Sequence, residues 1–429
     1  MFQDKQENRR TSHLWWMTSL FAAEEIPSVM VTFVSLLMFI QLGVSHSVAT
    51  LFSGLLFMPW VLKSFMRSKI KKAGNFKLYI HCVEICIFIS LTLTAIYINE
   101  VTSNALGLFS CMFSIAFFCA WHELVARMYY ERMLYPKQQY VYHKVKVFVS
   151  QTTMTLTYGV LIIFVGFLEI WFRDISKAWA MENYLVAGVF FILMAANIIT
   201  LRSPKVYTPH IHESMLDTVK AEIRIIDRIR QQPYTTRTVA GLFFLLVPQA
   251  LMFNTRVFFL LASEDNGGLN CSLQDVGFAH GTIGVIAFSI GIAAGRRMMR
   301  RIGKAEMFWP MAVMLTLSPA VYMTMALYQP MDNMQVLCSA TFSAQIMFGF
   351  GLNVCKPFIQ HISGERYRNT VNYLYVPLVA SVMLIPMSLS GWIESLLGFK
   401  KFFIANSLCA PVAWMLLKTW NIKKILMPQ

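Results

Sequence analysis

Two adjacent carboxylates, Glu24 and Glu25, stand in the run LFAAEEIPSVMVTF at residues 20–33, inside a stretch (13–43) otherwise almost free of charge. An ionised carboxylate is costly in hydrocarbon, and intramembrane acids mark proton relays and substrate contacts. A low-dielectric surrounding favours the neutral form of a carboxyl. Such a group can load a proton on one side of a membrane and release it on the other. Successive helical residues point about 100° apart, so the two acids cannot share a direction. Glu25 shares a face with Thr18 and Thr32, whereas Glu24 lies with the bulkier Phe21 and Val31. Glu25 is therefore expected to face an interior pathway as the first proton-coupling candidate. Glu24 is expected to pair with a neighbouring helix or to stay protonated. Glu84, in another apolar run, is a further candidate, with Lys63 as its candidate partner. For each acid the alternative is a structural role, hydrogen-bonded to a second helix.

Three further groups have residue types suited to binding a polar solute. Arg256 shares a helical face with Gln249 and Thr238, and an arginine fork suits a carboxylate or phosphate. The alternative is an arginine that snorkels to the surface. In FSAQIMFGFGLNVCKPFIQH, Gln345, Gly349, Lys356 and Gln360 fall along one side with Asn353 nearby, and Gly349 and Gly351 permit close helix approach. Gln151, Thr155 and Tyr158 follow helical spacing as a polar stripe; packing through threonine hydroxyls would look the same. Glu123 and Arg127, one turn apart, can pair. With Lys63 they are candidates for an inner gate.

Other chemistries lack their residues. There is no G-x-x-x-x-G-K-[ST] loop for ATP, and no G-x-S-x-G or H-E-x-x-H constellation for an enzyme. Of the eight cysteines only Cys271 falls outside the apolar runs, and their spacing suggests neither a disulfide framework nor a zinc site. No cofactor and no metal are expected.

These residues need helices that cross a bilayer. The 429 residues are 56% hydrophobic and 14% charged, with a mean hydropathy of +0.53, far more apolar than a soluble chain. Apolar stretches of about 20 residues, the length of one crossing, recur near 13–43, 46–66, 78–98, 105–128, 146–172, 180–201, 238–263, 275–297, 307–328, 335–360, 371–393 and 398–420. The chain reads as an all-α membrane protein of twelve transmembrane helices. The first span is too long for a signal-peptide core and is read as retained. The net charge of +15 does not indicate nucleic acid, because the basic residues sit in alternate loops. Thirty of the 37 Lys and Arg fall on one side of the spans and four on the other. The positive-inside pattern then puts both termini in the cytoplasm.

The hydrophilic stretch 202–237 divides the chain into bundles at 1–201 and 238–429, six spans each. Within it, Ile211, Met215, Val219, Ile226 and Ile229 form one apolar face, as in an amphipathic helix lying on the inner membrane surface. KSFMRSKIKKAGNF after span two is echoed by GRRMMRRIGKAEMF after span eight, with Gly74 and Gly303 at matching places. Two such repeats are the architecture of the major facilitator fold, with the solute site between them. The Arg256 stripe is then expected to face Glu25.

The stretch EEIPSVMVTFVSLLMFIQLGVSHSVATLFSGLLFMPWVLKSFM resembles the opening of the AmpG-like muropeptide permeases, through Pro27, the turn Gly43-Val44-Ser45 and the run Pro59-Trp60-Val61-Leu62-Lys63. LQDVGFAHGTIGVIAFSIGIAAGRRMMRRIGK and SGWIESLLGFKKFFIAN are also similar to that family. Glu25 stands where the family has a glycine, and Lys71 falls in an inner turn that usually carries an acid. The resemblance implies alternating-access import of peptidoglycan-derived muropeptides (GlcNAc-anhydroMurNAc type) across the cytoplasmic (inner) membrane. The chain would act as a monomer, by symport with the proton gradient. The alternatives are a transporter for another small solute and a non-transporting membrane sensor of the same fold.

Overall fold

The computed structural model describes residues 2–63, 75–100, 104–202, 231, 234–330, 333–363 and 371–426. All regular structure among them is helical. Ten helices are long and apolar enough to cross a membrane, and they supply eleven of the twelve spans. Nine carry one span each. The tenth, Val371–Thr419, carries spans eleven and twelve, divided at Gly398 (φ 70°, ψ 161°). Unbroken, its 49 residues would extend roughly 70 Å, more than twice a hydrocarbon core of about 30 Å. Gly398 carries the break because a positive φ has little steric cost without a Cβ. Span two is His46–Leu55 followed, across a short turn, by helix 58–63. The chain is a multi-pass membrane protein.

Two boundaries differ from those read in the sequence. Span one is helical from Phe2, and span five begins at Pro136, ten residues before the expected 146. Proline at the first helical position and a capping box at Tyr135 and Gln138 start that helix early. Lys137, Lys144 and Lys146 therefore lie on a helix. The inner turn 64–74 and the amphipathic segment expected near 211–229 lie outside the described residues.

The chain packs as two compact units, residues 1–38 with 65–219 and residues 39–64 with 220–429. Span two thus packs with the second unit. The reason is local. The Thr50 hydroxyl donates to the Ser388 carbonyl at 3.3 Å and accepts from the Gly391 amide at 3.3 Å, and the Ser53 hydroxyl donates to Asn254 Oδ1 at 3.2 Å. Small residues let the backbones approach, since a Cβ on Gly391 would fall 2.4 Å from the His46 carbonyl oxygen.

In the first unit, buried Trp16 packs edge-on against Tyr129, ring centroids 5.3 Å apart, and so ties span one to span four. In the second unit, Leu242, Leu245, Phe308, Met311, Leu315 and Phe358 belong to one buried core shared by spans seven, nine and ten. Three spans carry π-helical segments, at Met30–Val34, Leu156–Val160 and Gly277–Gly284. Such turns recur at functional sites. Here the segment in span five holds Tyr158 and the segment in span eight holds His280.

Candidate functional site

Three acids of the first unit, Glu24, Glu25 and Glu123, act on one another around span one. Glu25 is half-buried and hydrogen-bonds Ser150 of span five, within electrostatic reach of Glu24, Glu123 and Lys146. The Lys146 ammonium lies 4.2 Å from the Phe21 ring centroid and 5.9 Å from that of Tyr130. These aromatic faces hold the cation in reach of the carboxyl groups. Glu24 is buried, and its backbone carbonyl accepts from the Cys119 thiol of span four at 3.8 Å. Glu24, Glu123 and Lys146 therefore all act on the charge of Glu25. Lys146 was missed as a site residue because the expected helix began there. Its spacing from Ser150, i to i+4, was the available signal.

The polar stripe of span five divides. Gln151 is half-buried beside Ser150, whereas the Thr155 hydroxyl donates to the Gln151 carbonyl at 2.9 Å. Tyr158 stacks on Phe33 of span one, 4.9 Å between centroids. Arg127 reaches Glu131 at 3.4 Å, one turn beyond itself, and Glu123 lies near Glu25.

Glu84 belongs to a different network. It takes hydrogen bonds from its own unit: His81 at 3.3 Å, His122 at 3.3 Å and Asn197 at 2.5 Å. His81 stands one turn before Glu84, and spans four and six bring His122 and Asn197 against it. Lys63 is buried in the second unit. Glu84, His122 and Asn197 are fully buried. Glu84→Ala is therefore expected to strand these donors and to lower stability by about 3 kcal/mol or more. Glu84→Gln keeps the shape and should cost less. Thermal unfolding of the purified chain checks the order.

Span six holds an acid that the sequence reading passed over. Glu182 is fully buried and accepts from the Asn183 amide at 2.7 Å. Its other oxygen has no hydrogen-bond partner among the described residues. Its place two residues inside an expected span boundary made it resemble a surface acid.

In the second unit, span seven carries Gln249 and Arg256, both buried. The Gln249 amide hydrogen-bonds the Ser318 hydroxyl of span nine. The Arg256 guanidinium sits 5.1 Å from the Phe253 ring centroid and within electrostatic reach of His280. His280 Nε2 lies 3.1 Å from the Tyr322 hydroxyl and 3.4 Å from that of Thr341. Gln345, one turn beyond Thr341, is also buried. The sequence pattern pointed to Gln249, Arg256 and Gln345, but not to His280, Tyr322 and Thr341, which sit among apolar or small neighbours.

Asn353 and Lys356 of span ten have different surroundings. The Asn353 amide donates to the carbonyls of Gly349 at 3.2 Å and Phe350 at 3.1 Å in its own span and to that of Ile292 in span eight at 3.4 Å. Lys356 is exposed among the cations Lys304, Arg296 and Arg300. A further ionisable pair, unanticipated, joins span two to span eleven: His46 Nδ1 lies 3.0 Å from Glu394 Oε2, and the His46 ring stacks on Phe258.

No family model matches the chain, and no curated protein matches it. Solved structures do. The chain is similar to a bacterial homologue of the human lysosomal transporter Spinster, in an inward-facing, unoccupied conformation. The identity is 14%, the match covers 96% of this chain and 98% of that one, and the TM-score is 0.68. It is similar to the nucleoside transporter NupG, with 11% identity, 96% and 98% covered, and a TM-score of 0.66. It is also similar to the xylose transporter XylE of E. coli in an inward-open conformation, with 10% identity, 95% and 96% covered, and a TM-score of 0.63. The chain has the major facilitator fold. At these identities the likeness is one of fold. The major facilitator fold accounts for the long apolar helices and for their division into two bundles.

Proposed function

We propose that the chain is a secondary active transporter that moves a small solute across the cytoplasmic membrane by alternating access, with a proton as the coupling ion. Both termini face the cytoplasm in this reading, as the distribution of basic residues requires. The observation that carries it is the group of carboxyls around Glu25. Acids inside a membrane span are costly and are kept for ion or substrate handling, and this group has a hydrogen-bonding hydroxyl and an ammonium beside it. The similar solved structures named above are of transporters, which supports transport over the sensor reading and over an enzyme.

Within that reading the solute is a peptidoglycan-derived muropeptide, taken up by symport. The support is the similarity of Pro27, the Gly43-Val44-Ser45 turn and the Pro59–Lys63 run to the AmpG-like permeases. The test uses the purified chain in proteoliposomes enclosing a pH-sensitive dye. GlcNAc-anhydroMurNAc and its peptide forms are expected to drive proton entry, and unrelated sugars and peptides are not. Proton entry with a different solute would keep coupled transport and remove the muropeptide. Solute movement without proton entry would remove the coupling.

A further inference from the structure

The second unit contains a buried cation with no ion pair to any described acid of that unit. Arg256 is only 5% exposed, and its Nε has no hydrogen-bond partner among the described residues. The described acids of this unit lie elsewhere. Asp275 is held by Ser272 at 2.6 Å and Glu394 by His46 at 3.0 Å. Glu264 and Asp265 are exposed in the turn after span seven, and Glu306 opens span nine. None forms an ion pair with Arg256. The Phe253 ring faces the guanidinium, but a ring face leaves its in-plane N–H donors open. Taking such a charge out of water costs several kcal/mol unless a partner meets it. His280 lies within electrostatic reach of Arg256 and has the Tyr322 and Thr341 hydroxyls against its ring, neutral hydrogen-bonding groups.

We infer that Arg256 is the docking point for an anionic group, a carboxylate or a phosphate, on the transported solute. The inference rests on the transport reading above and narrows it to anionic solutes. The planar fork binds two oxygens of either group in parallel. The neutral groups around His280 then hydrogen-bond the polar atoms beside the anion. An anion completes this site, whereas an uncharged solute would leave the guanidinium as costly as before.

Thermal unfolding of the full chain in detergent tests this without a membrane gradient. The probes are GlcNAc-anhydroMurNAc, its neutral methyl ester, glucose 6-phosphate and glucose. At least one anionic probe is expected to raise the melting temperature saturably, and its neutral counterpart is not. Which one does so tells carboxylate from phosphate. In Arg256→Gln the half-saturating concentration is expected to rise about tenfold or more, the size of a lost charge-assisted hydrogen bond. Arg256→Lys keeps the charge but not the fork and is expected to fall between, and it serves if the glutamine variant does not fold. Gly188→Ala, where nothing lies within 4 Å of the added Cβ, should bind as the wild type does, and because binding in detergent needs no proton gradient a failure of proton coupling leaves this result readable. Stabilisation that ignores the probe's charge, that is unchanged in both Arg256 variants, or that no anion produces would overturn the inference.

Discussion

Proteoliposomes carrying Glu25→Gln are expected to exchange solute across the bilayer but not to concentrate it. Glutamine keeps the volume of the side chain and can still hydrogen-bond Ser150, so the helix contact survives. It cannot take up and release a proton. A one-proton symporter driven by about one pH unit has roughly 1.4 kcal/mol available, a tenfold concentration of solute. The variant is expected to stop at equal concentrations inside and out, while counterflow continues at a rate near that of the wild type. Glu24→Gln is the matched comparison, because Glu24 lies next in sequence and is more deeply buried. It is expected to keep accumulating solute. If the two variants behave the other way round, Glu24 is the carrier. If both accumulate solute like the wild type, the carboxyl group on span one has no part in coupling.

Gly349→Ala is expected to cost the folded state about 2 kcal/mol or more, a large effect for one methyl group. The added Cβ would lie 2.2 Å from the carbonyl oxygen of Phe288 and 3.1 Å from the Ile292 amide nitrogen. These are backbone atoms of span eight, so no rotamer change relieves the overlap and the helices must move apart. Span eight makes the reciprocal contact, since a Cβ on Gly291 would fall 2.3 Å from the Ile346 carbonyl oxygen. Overpacking of a tight site costs about 1–3 kcal/mol when side chains can adjust, and here they cannot. Gly188→Ala in span six is the control, because nothing lies within 4 Å of its added Cβ. The yield of monodisperse protein and the melting temperature should fall sharply for the first variant and hold for the second. Equal behaviour of the two would mean that the seam is looser than described.

The fold was largely legible in the sequence because its strongest signals are long. Apolar runs of membrane length mark the spans wherever they lie, and the break at Gly398 fell on the first residue of the span expected from 398. Span two's membership of the second unit was not legible. It depends on the contacts of Thr50, Ser53 and Gly391, three small residues with no periodic signature. The site divided in the same way. Charged groups in apolar runs, such as Glu25 and Arg256, stand out whatever their partners. Partners do not. The hydrogen bonds that His122 and Asn197 make to Glu84 come from residues 38 and 113 positions away. Lys146 and Glu182 fell close to expected span ends, where hydropathy blurs the distinction between a surface charge and a buried one. His280 was hidden among glycines, and its role follows only from the Tyr322 and Thr341 hydroxyls against it.

The join at Gly398 also bears on how the chain is made. A single non-helical residue separates spans eleven and twelve, so there is no tether along which one could settle in the bilayer before the other begins. The pair is expected to enter as a preformed hairpin. Span twelve holds Leu417 in the core that also takes Leu242 of span seven. That core therefore stays incomplete until the hairpin has inserted, and a nascent chain halted before residue 398 should present the open side of span seven to the insertion machinery and to quality-control proteases.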